Sequence, residues 1–177
     1  MEFSALMSFM KYDVSLRQIK IYRDGVGRKD NITKKEKFTD EYIELYHMSE
    51  KNDFYHIAVI GVDEWRSTDA IDAYVVELRG EKIGFVMAKV ANIRTYYWMN
   101  FLLIDKKHRG YGFGTQILKQ FQELCISRGL NACADIDIQV PRYMDKAPKL
   151  IRWYKHNGFS VDGIGGDGNL MMVKELV

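Results

Sequence analysis

The chain has 177 residues, 47% of them apolar and 28% charged, with only 2 prolines. That is the length of one compact domain with enough apolar surface to offset the entropy of folding, so disorder and a low-complexity chain are excluded, and one domain over residues 1–177 is expected. The 26 Lys plus Arg against 24 Asp plus Glu leave a net charge of +2, which gives no bulk attraction for nucleic acid or an anionic membrane, so a bound polyanion is expected to be small.

In chain order, Leu16 to Tyr22 alternates as a strand and breaks at Asp24-Gly25-Val26-Gly27. Thr33 and Glu36 have capping-box spacing, and Phe38, Tyr42, Leu45 and Tyr46 recur at helical intervals, predicting a helix over Thr33 to Ser49; a second is expected over Asp53 to Val59. Ala73 to Arg79 and Lys82 to Val90 are rich in Val, Ile, Phe and Tyr and read as a hairpin joined by Gly80-Glu81. Thr95 to Ile104 ends in four consecutive apolar residues, as a central strand covered on both faces would.

Ile117, Leu118, Phe121, Leu124 and Cys125 mark one face of a helix that stops near Gly129. Ala132 to Val140 alternates as a strand, and Pro148 suits the first turn of a helix stopped by Gly158. Two closing strands, Phe159 to Ile164 and Asn169 to Leu176, flank Gly165-Gly166-Asp167-Gly168. Two cysteines, Cys125 and Cys133, form neither a disulfide framework nor a C-x-x-C, which points to a reducing, cytoplasmic setting. No apolar run approaches the roughly 20 residues that span a bilayer, and Glu2 stands where a signal peptide would carry Lys or Arg. A protein without a membrane or nucleic-acid partner is expected.

The chemistry concentrates in Leu102-Leu103-Ile104-Asp105-Lys106-Lys107-His108-Arg109-Gly110-Tyr111-Gly112-Phe113-Gly114-Thr115. A buried strand runs through a basic turn with three alternating glycines into an amphipathic helix. Glycines let successive backbone N–H groups face one concavity, and the first helical turn adds its own unpaired N–H groups and the positive end of its dipole, an arrangement that holds phosphate oxygens. A Rossmann G-x-G-x-x-G fails in both frames, because the third glycine would fall at Thr115 or at Ile117, and the Gly-Lys-Ser/Thr of a Walker loop is absent. His47, His56 and His156 have no metal-ligand spacing, and no serine lies in G-x-S-x-G. Asp135 and Asp137 sit at i, i+2 on one strand face, about 7 Å apart, where carboxylates need partners or a cavity. Glu77 and Glu81 read as exposed hairpin charge, while Tyr96, Tyr97 and Trp98 fit either a core or a pocket wall.

Arg109, Gly112 and Gly114 match R-x-x-G-x-G/A, and Trp153-Tyr154 with Gly158-Phe159 match a late aromatic-Tyr-x-x-x-Gly-Phe motif. With these motifs about forty residues apart and in this order, the chain resembles the Gcn5-related N-acetyltransferase (GNAT) superfamily across roughly residues 16 to 176. The resemblance implies an α/β (α+β) fold with a mixed, mostly antiparallel central sheet of six to seven strands flanked by about four helices. It implies acetyl-CoA as cofactor, its pyrophosphate on Arg109, Gly110, Tyr111, Gly112, Phe113, Gly114 and Thr115 and its pantetheine beside Leu103 and Ile104. It also implies direct acetyl transfer to a primary amine, on a small molecule or a protein, by a monomer or homodimer, with Tyr154 protonating the leaving thiolate. Three positions depart from the family pattern: Lys106 replaces a frequent proline, Ala147 an asparagine that often bonds the cofactor, and Trp98 the glutamate base of the histone-modifying branch. Asp135 or Asp137 is the candidate for the missing base, and metal ligation is not expected. The rival reading is a GNAT-fold module that binds acyl-CoA without turnover.

Overall fold

The computed structural model describes residues 12–23, 38–52, 71–90, 97–129, 134–140, 147–165 and 170–176; residues 71, 89, 90, 97, 98, 100 and 134–140 among them are described by their backbone. Seven strands, β1 (Val14–Ile19), β2 (Ile71–Leu78), β3 (Glu81–Val90), β4 (Tyr97–Ile104), β5 (Ala134–Val140), β6 (Ser160–Ile164) and β7 (Leu170–Leu176), form one sheet in the order β1-β2-β3-β4-β5-β7-β6. Every pairing is antiparallel except β4 with β5. The expected central strand is thus the fourth of seven. The helices are α1 (Asp40–Lys51), α2 (Phe113–Ser127) and α3 (Ala147–His156), three among the described residues; the expected helix over Asp53 to Val59 lies outside them.

The sheet separates two apolar clusters because side chains alternate across it. On one face, Tyr42 and Leu45 of α1 pack on Ala73, Val75, Phe85, Met87 and Leu103. On the other, Ile117, Leu118, Phe121 and Cys125 of α2 join Tyr154 and Ala147 of α3 over Tyr74, Val76, Val86 and Met99. Each such fully buried large side chain contributes roughly 1.5–3 kcal/mol relative to exposure. The α2 face is the one its apolar spacing predicts.

Two boundaries differ from expectation for tertiary reasons. The first helix begins after Thr39, whose backbone is extended (φ −66°, ψ 153°) and whose hydroxyl accepts the Tyr42 N–H at 3.2 Å. Thr39 also donates to the Ile21 and Lys20 carbonyls, and Phe38 bridges Tyr22, so strand-like pairing stops the helix short of Phe38. In the β2–β3 hairpin, Leu78 pairs with Glu81 and the turn residues are Arg79 (φ 50°) and Gly80 (φ 84°), not Gly80-Glu81. Two positive φ values in succession match the right-handed twist of the strands, which favours this turn.

Candidate active site

The site begins with a defect in β4. Met87 pairs with Phe101 and Ala88 with Met99, so Asn100 is an extra residue bulged out of the β3–β4 ladder. A bulge bends its strand and shifts the face of every residue beyond it: Met99 packs in the α2/α3 cluster with Leu102, although strict alternation would separate them. The β4–β5 pairing ends at the same place. It covers Tyr97↔Ile136, Trp98↔Asp137 and Met99↔Ile138 and stops there, while β5 continues beside β7 as far as Val140. From the bulge onward, Asn100 to Ile104 therefore present an edge with no β5 partner among the described residues. Leu103 is buried on the α1 side, and β3 is brought close behind it by Gly84, where a Cβ would overlap the Leu103 carbonyl.

The turn after β4 divides into two halves. Every amide from Asp105 to Arg109 is satisfied by the protein: Asp105 N–H by the Ile83 carbonyl (2.8 Å), Lys106 by Asn52 Oδ1 (2.8 Å), and Lys107 by Asp105 Oδ1 (3.3 Å). His108 N–H goes to the Asp105 carbonyl (2.8 Å) and Arg109 N–H to that of Lys106 (3.3 Å). The next six amides, Gly110 to Thr115, have no acceptor among the described residues. No side chain caps α2, and its first bond runs from Gln116 N–H to the Gly112 carbonyl. Gly110 (φ 87°) and Gly112 (φ 81°) turn the backbone through the left-handed region, and a Cβ on either would point into open space. Six donors without an acceptor among the described residues, at the positive end of a fifteen-residue helix, suit the several oxygens of a diphosphate. Tyr111, 71% exposed, stacks on Phe113 at 5.9 Å beside them.

The basic residues are less free than their sequence implies. Lys107 pairs with Glu81 at 2.7 Å, with His108 3.4 Å from the same carboxylate; the two hydrogen bonds hold the Glu81 carboxyl below its ordinary range. The Arg109 guanidinium folds back over the turn, Nε donating to the Ile104 carbonyl (2.7 Å) and Nη2 to Asn52 Oδ1 (3.2 Å). Arg109 thus closes the turn onto the end of β4.

Tyr154 is 5% exposed, its ring against Trp153 and Phe159 with centroids 4.8 and 5.5 Å away. Its hydroxyl has no hydrogen-bond partner among the described residues, and burial pushes its pKa well above the usual phenol value. Trp153 meets the glycine turn directly: a Cβ on Gly114 would lie 3.0 Å from Trp153 Cζ2. Gly114 is therefore a packing glycine within the helix, whereas Gly110 and Gly112 are conformational ones. Asp137 is the register partner of Trp98 on β4, and Asp135 that of Glu175 on β7; their side chains lie outside the described part. Among the described residues no three His, Cys, Asp or Glu side chains are grouped to hold a metal.

Residues 69–161, more than half of the chain, match the family model described as acetyltransferase (GNAT) domain. The chain belongs to the GNAT acetyltransferases. The fold of this GNAT protein is similar to a chimeric spermidine N-acetyltransferase from Vibrio cholerae and hSSAT, with TM-score 0.62 and 16% identity over 93% of this chain and 96% of that chain. It is similar to an acetyltransferase from Thermus thermophilus (0.57, 20%, 75% and 87%). A third similar structure is the PaiA N-acetyltransferase from Thermoplasma acidophilum in complex with coenzyme A (0.52, 17%, 78% and 80%). No curated protein matches the chain in sequence. GNAT acetyltransferases use acetyl-CoA, and the donor-rich turn in front of an unpaired strand edge fits a ligand with a diphosphate and an amide-bearing arm.

One residue of this arrangement, Asn52, has no signal in the sequence. It ends α1, more than fifty positions before the turn it contacts, and an asparagine after a helix ordinarily reads as a terminator.

Proposed function

We propose that this chain is an N-acetyltransferase that moves an acetyl group from acetyl-CoA to a primary amine by direct transfer. The observation that carries the reading is the set of six amides, Gly110 to Thr115, and the edge of β4 beside them, neither with a partner among the described residues. Acetyl-CoA supplies the acyl thioester when bound. The six amides hold the diphosphate oxygens, and the β4 edge from Asn100 to Ile104 offers strand-like hydrogen bonds to the pantetheine amides. Tyr154 keeps its proton because burial disfavours the phenolate, so its hydroxyl is the donor to the departing sulfur. Asp137 or Asp135 accepts the proton of the amine.

The test is to incubate the protein with acetyl-CoA and a panel of polyamines, aminoglycosides, amino acids and lysine peptides while following free thiol. Amine-dependent thiol release supports the proposal. CoA binding with no release for any amine class favours a module that binds acyl-CoA without turnover; no binding of CoA at all overturns the reading.

A further inference from the structure

Asn52 is one of three buried polar residues among the described residues, 6% exposed. Its Oδ1 accepts two donors from the phosphate-side turn, the Lys106 N–H at 2.8 Å and Arg109 Nη2 at 3.2 Å. Its Nδ2 donates to the Met48 carbonyl at 2.9 Å and its own N–H to that of Ser49 at 3.1 Å, both within the last turn of α1. The amide thus bonds both elements, its oxygen with two donors and its nitrogen with one acceptor. Helix α1 is in turn fixed to the sheet by buried Tyr42 and Leu45 and by ion pairs from Glu41 and Glu44 to Arg17 and Lys82. Among the described residues Glu81 reaches the same turn through Lys107 and His108.

We infer that Asn52 is a positioning residue for the donor site, its side-chain oxygen tying the start and the end of the partnered half-turn to α1 so that the six amides beyond Arg109 converge on a diphosphate. The inference rests on the acetyl-CoA reading above. The physical reason is that Arg109 has two acceptors among the described residues. Without Asn52 Oδ1 it is held by the Ile104 carbonyl alone, and the Lys106 N–H loses its acceptor. A turn whose anchor is lost must be ordered at the moment of binding, and that cost falls on affinity for the phosphate-bearing ligand.

The competing role is a plain helix cap through the Nδ2–Met48 bond, and two substitutions separate them. Asn52→Asp keeps the acceptor oxygen and loses the Nδ2 donor; Asn52→Leu loses both at similar volume. CoA affinity is measured by calorimetry, and the Gly110, Gly112 and Gly114 amide resonances are followed by NMR during the same titration. Asn52→Leu is expected to weaken CoA binding about tenfold, as for the loss of a hydrogen bond to a charged group, and to abolish the glycine shifts. Asn52→Asp is expected to stay within about threefold of wild type and keep the shifts, although it loses the same cap bond. Equal CoA affinity in wild type and Asn52→Leu overturns the inference alone, as does equal weakening by both variants. A wild-type protein that does not bind CoA overturns the functional reading and this inference with it. Should Asn52→Leu not fold, Asn52→Ser, whose hydroxyl is too short to span both donors, serves in its place.

Discussion

Gly114 and Trp153 lie in contact, with 3.0 Å from the position of a Cβ on Gly114 to Trp153 Cζ2. The first turn of α2, which carries three of the six amides without an acceptor among the described residues, therefore packs against the residue that precedes Tyr154 on α3. The glycine turn and Tyr154 are linked through one glycine and one indole. The Trp153 ring also lies 4.8 Å, centroid to centroid, from that of Tyr154, tilted by 58°, so a shift of the indole disturbs the tyrosine.

Gly114→Val follows from that contact. A branched side chain has no room beside the indole, and overpacking of this kind costs about 1–3 kcal/mol. Chemical denaturation should show that loss together with weaker CoA binding, whereas Gly114→Ala gains helix propensity against a tighter contact and should stay within about 1 kcal/mol of wild type. A Gly114→Val protein of wild-type stability would show that the two helices are not in register through Trp153.

Gly112→Asp places a carboxylate in the cradle at φ 81°. Ligands that bind only the folded state raise Tm by mass action, so CoA should raise the wild-type Tm and leave that of Gly112→Asp unchanged. Gly112→Ala, with open space for its Cβ, should lose about 1 kcal/mol through backbone strain yet retain a CoA-dependent shift. A larger shift from NAD or ATP than from CoA would remove the acetyltransferase reading.

Tyr154→Phe keeps the ring contacts with Trp153 and Phe159 and removes one hydroxyl. If that hydroxyl protonates the thiolate, turnover should fall about 10² to 10⁴-fold with little change in CoA affinity. Burial raises the phenol pKa, so the folded protein holds this proton where the unfolded chain has lost it. The corresponding stability is complete below about pH 10, the ordinary phenol value, and declines as pH rises above it. Wild type should lose stability between about pH 10 and 12 more steeply than Tyr154→Phe, and turnover should show no basic limb from this group below pH 10. Undiminished turnover in the variant would reduce Tyr154 to packing.

The parts of this site that lie within one stretch of chain were legible in the sequence. The Arg109 to Gly114 pattern and the run of apolar residues in β4 announce a glycine turn entering a helix, because local geometry alone makes such a turn. The face of α2 could be read from Ile117, Leu118, Phe121 and Cys125. What escaped depends on pairing between distant residues. The end of α1 reaches the turn only because the sheet brings Asn52 beside Arg109, 57 positions on. Thr39 sets the start of α1 through bonds to Lys20 and Ile21, distant in sequence from the helix, while the expected start at Thr33 and Glu36 lies outside the described residues. The Asn100 bulge shows only in the register with β3, as Asn100 has no feature of its own in an otherwise regular strand.

The charge bridge over β1 and β2 is a weaker structural tie. Arg17 reaches Glu77 at 2.7 Å and Glu41 of α1 at 2.6 Å, and its hydrogen bond holds the Glu41 carboxyl below its ordinary range. A depressed carboxyl contributes stability above the ordinary carboxylate pKa and loses it as pH falls through the lowered value. Arg17 is 45% exposed, so Arg17→Met should cost no more than about 1 kcal/mol at neutral pH, less in high salt. Its denaturation free energy should fall less steeply than that of wild type between about pH 5 and 3. Identical acid profiles would show that solvent already screens the pair.

The register of β4 and β5 distinguishes the two aspartates. Asp137 is the partner of Trp98, one step before the pairing ends at Met99↔Ile138, whereas Asp135 lies beyond the opposite end of the paired segment and faces Glu175 of β7 in register. In the resemblance to the histone-modifying branch, Trp98 stands where a glutamate base would be. If a carboxylate on the neighbouring strand takes over proton acceptance from the amine, the one at the level of Trp98 in register is Asp137. Asp137→Asn is therefore expected to raise the KM for the amine or lower kcat, to alter the acidic limb of the pH profile and to leave the CoA dissociation constant unchanged. Asp135→Asn should keep wild-type kinetics. The reverse assignment would exchange the roles, and loss of thermal stability alone in both variants would mean that neither carboxylate is the base and that the amine gives its proton to another group or to water.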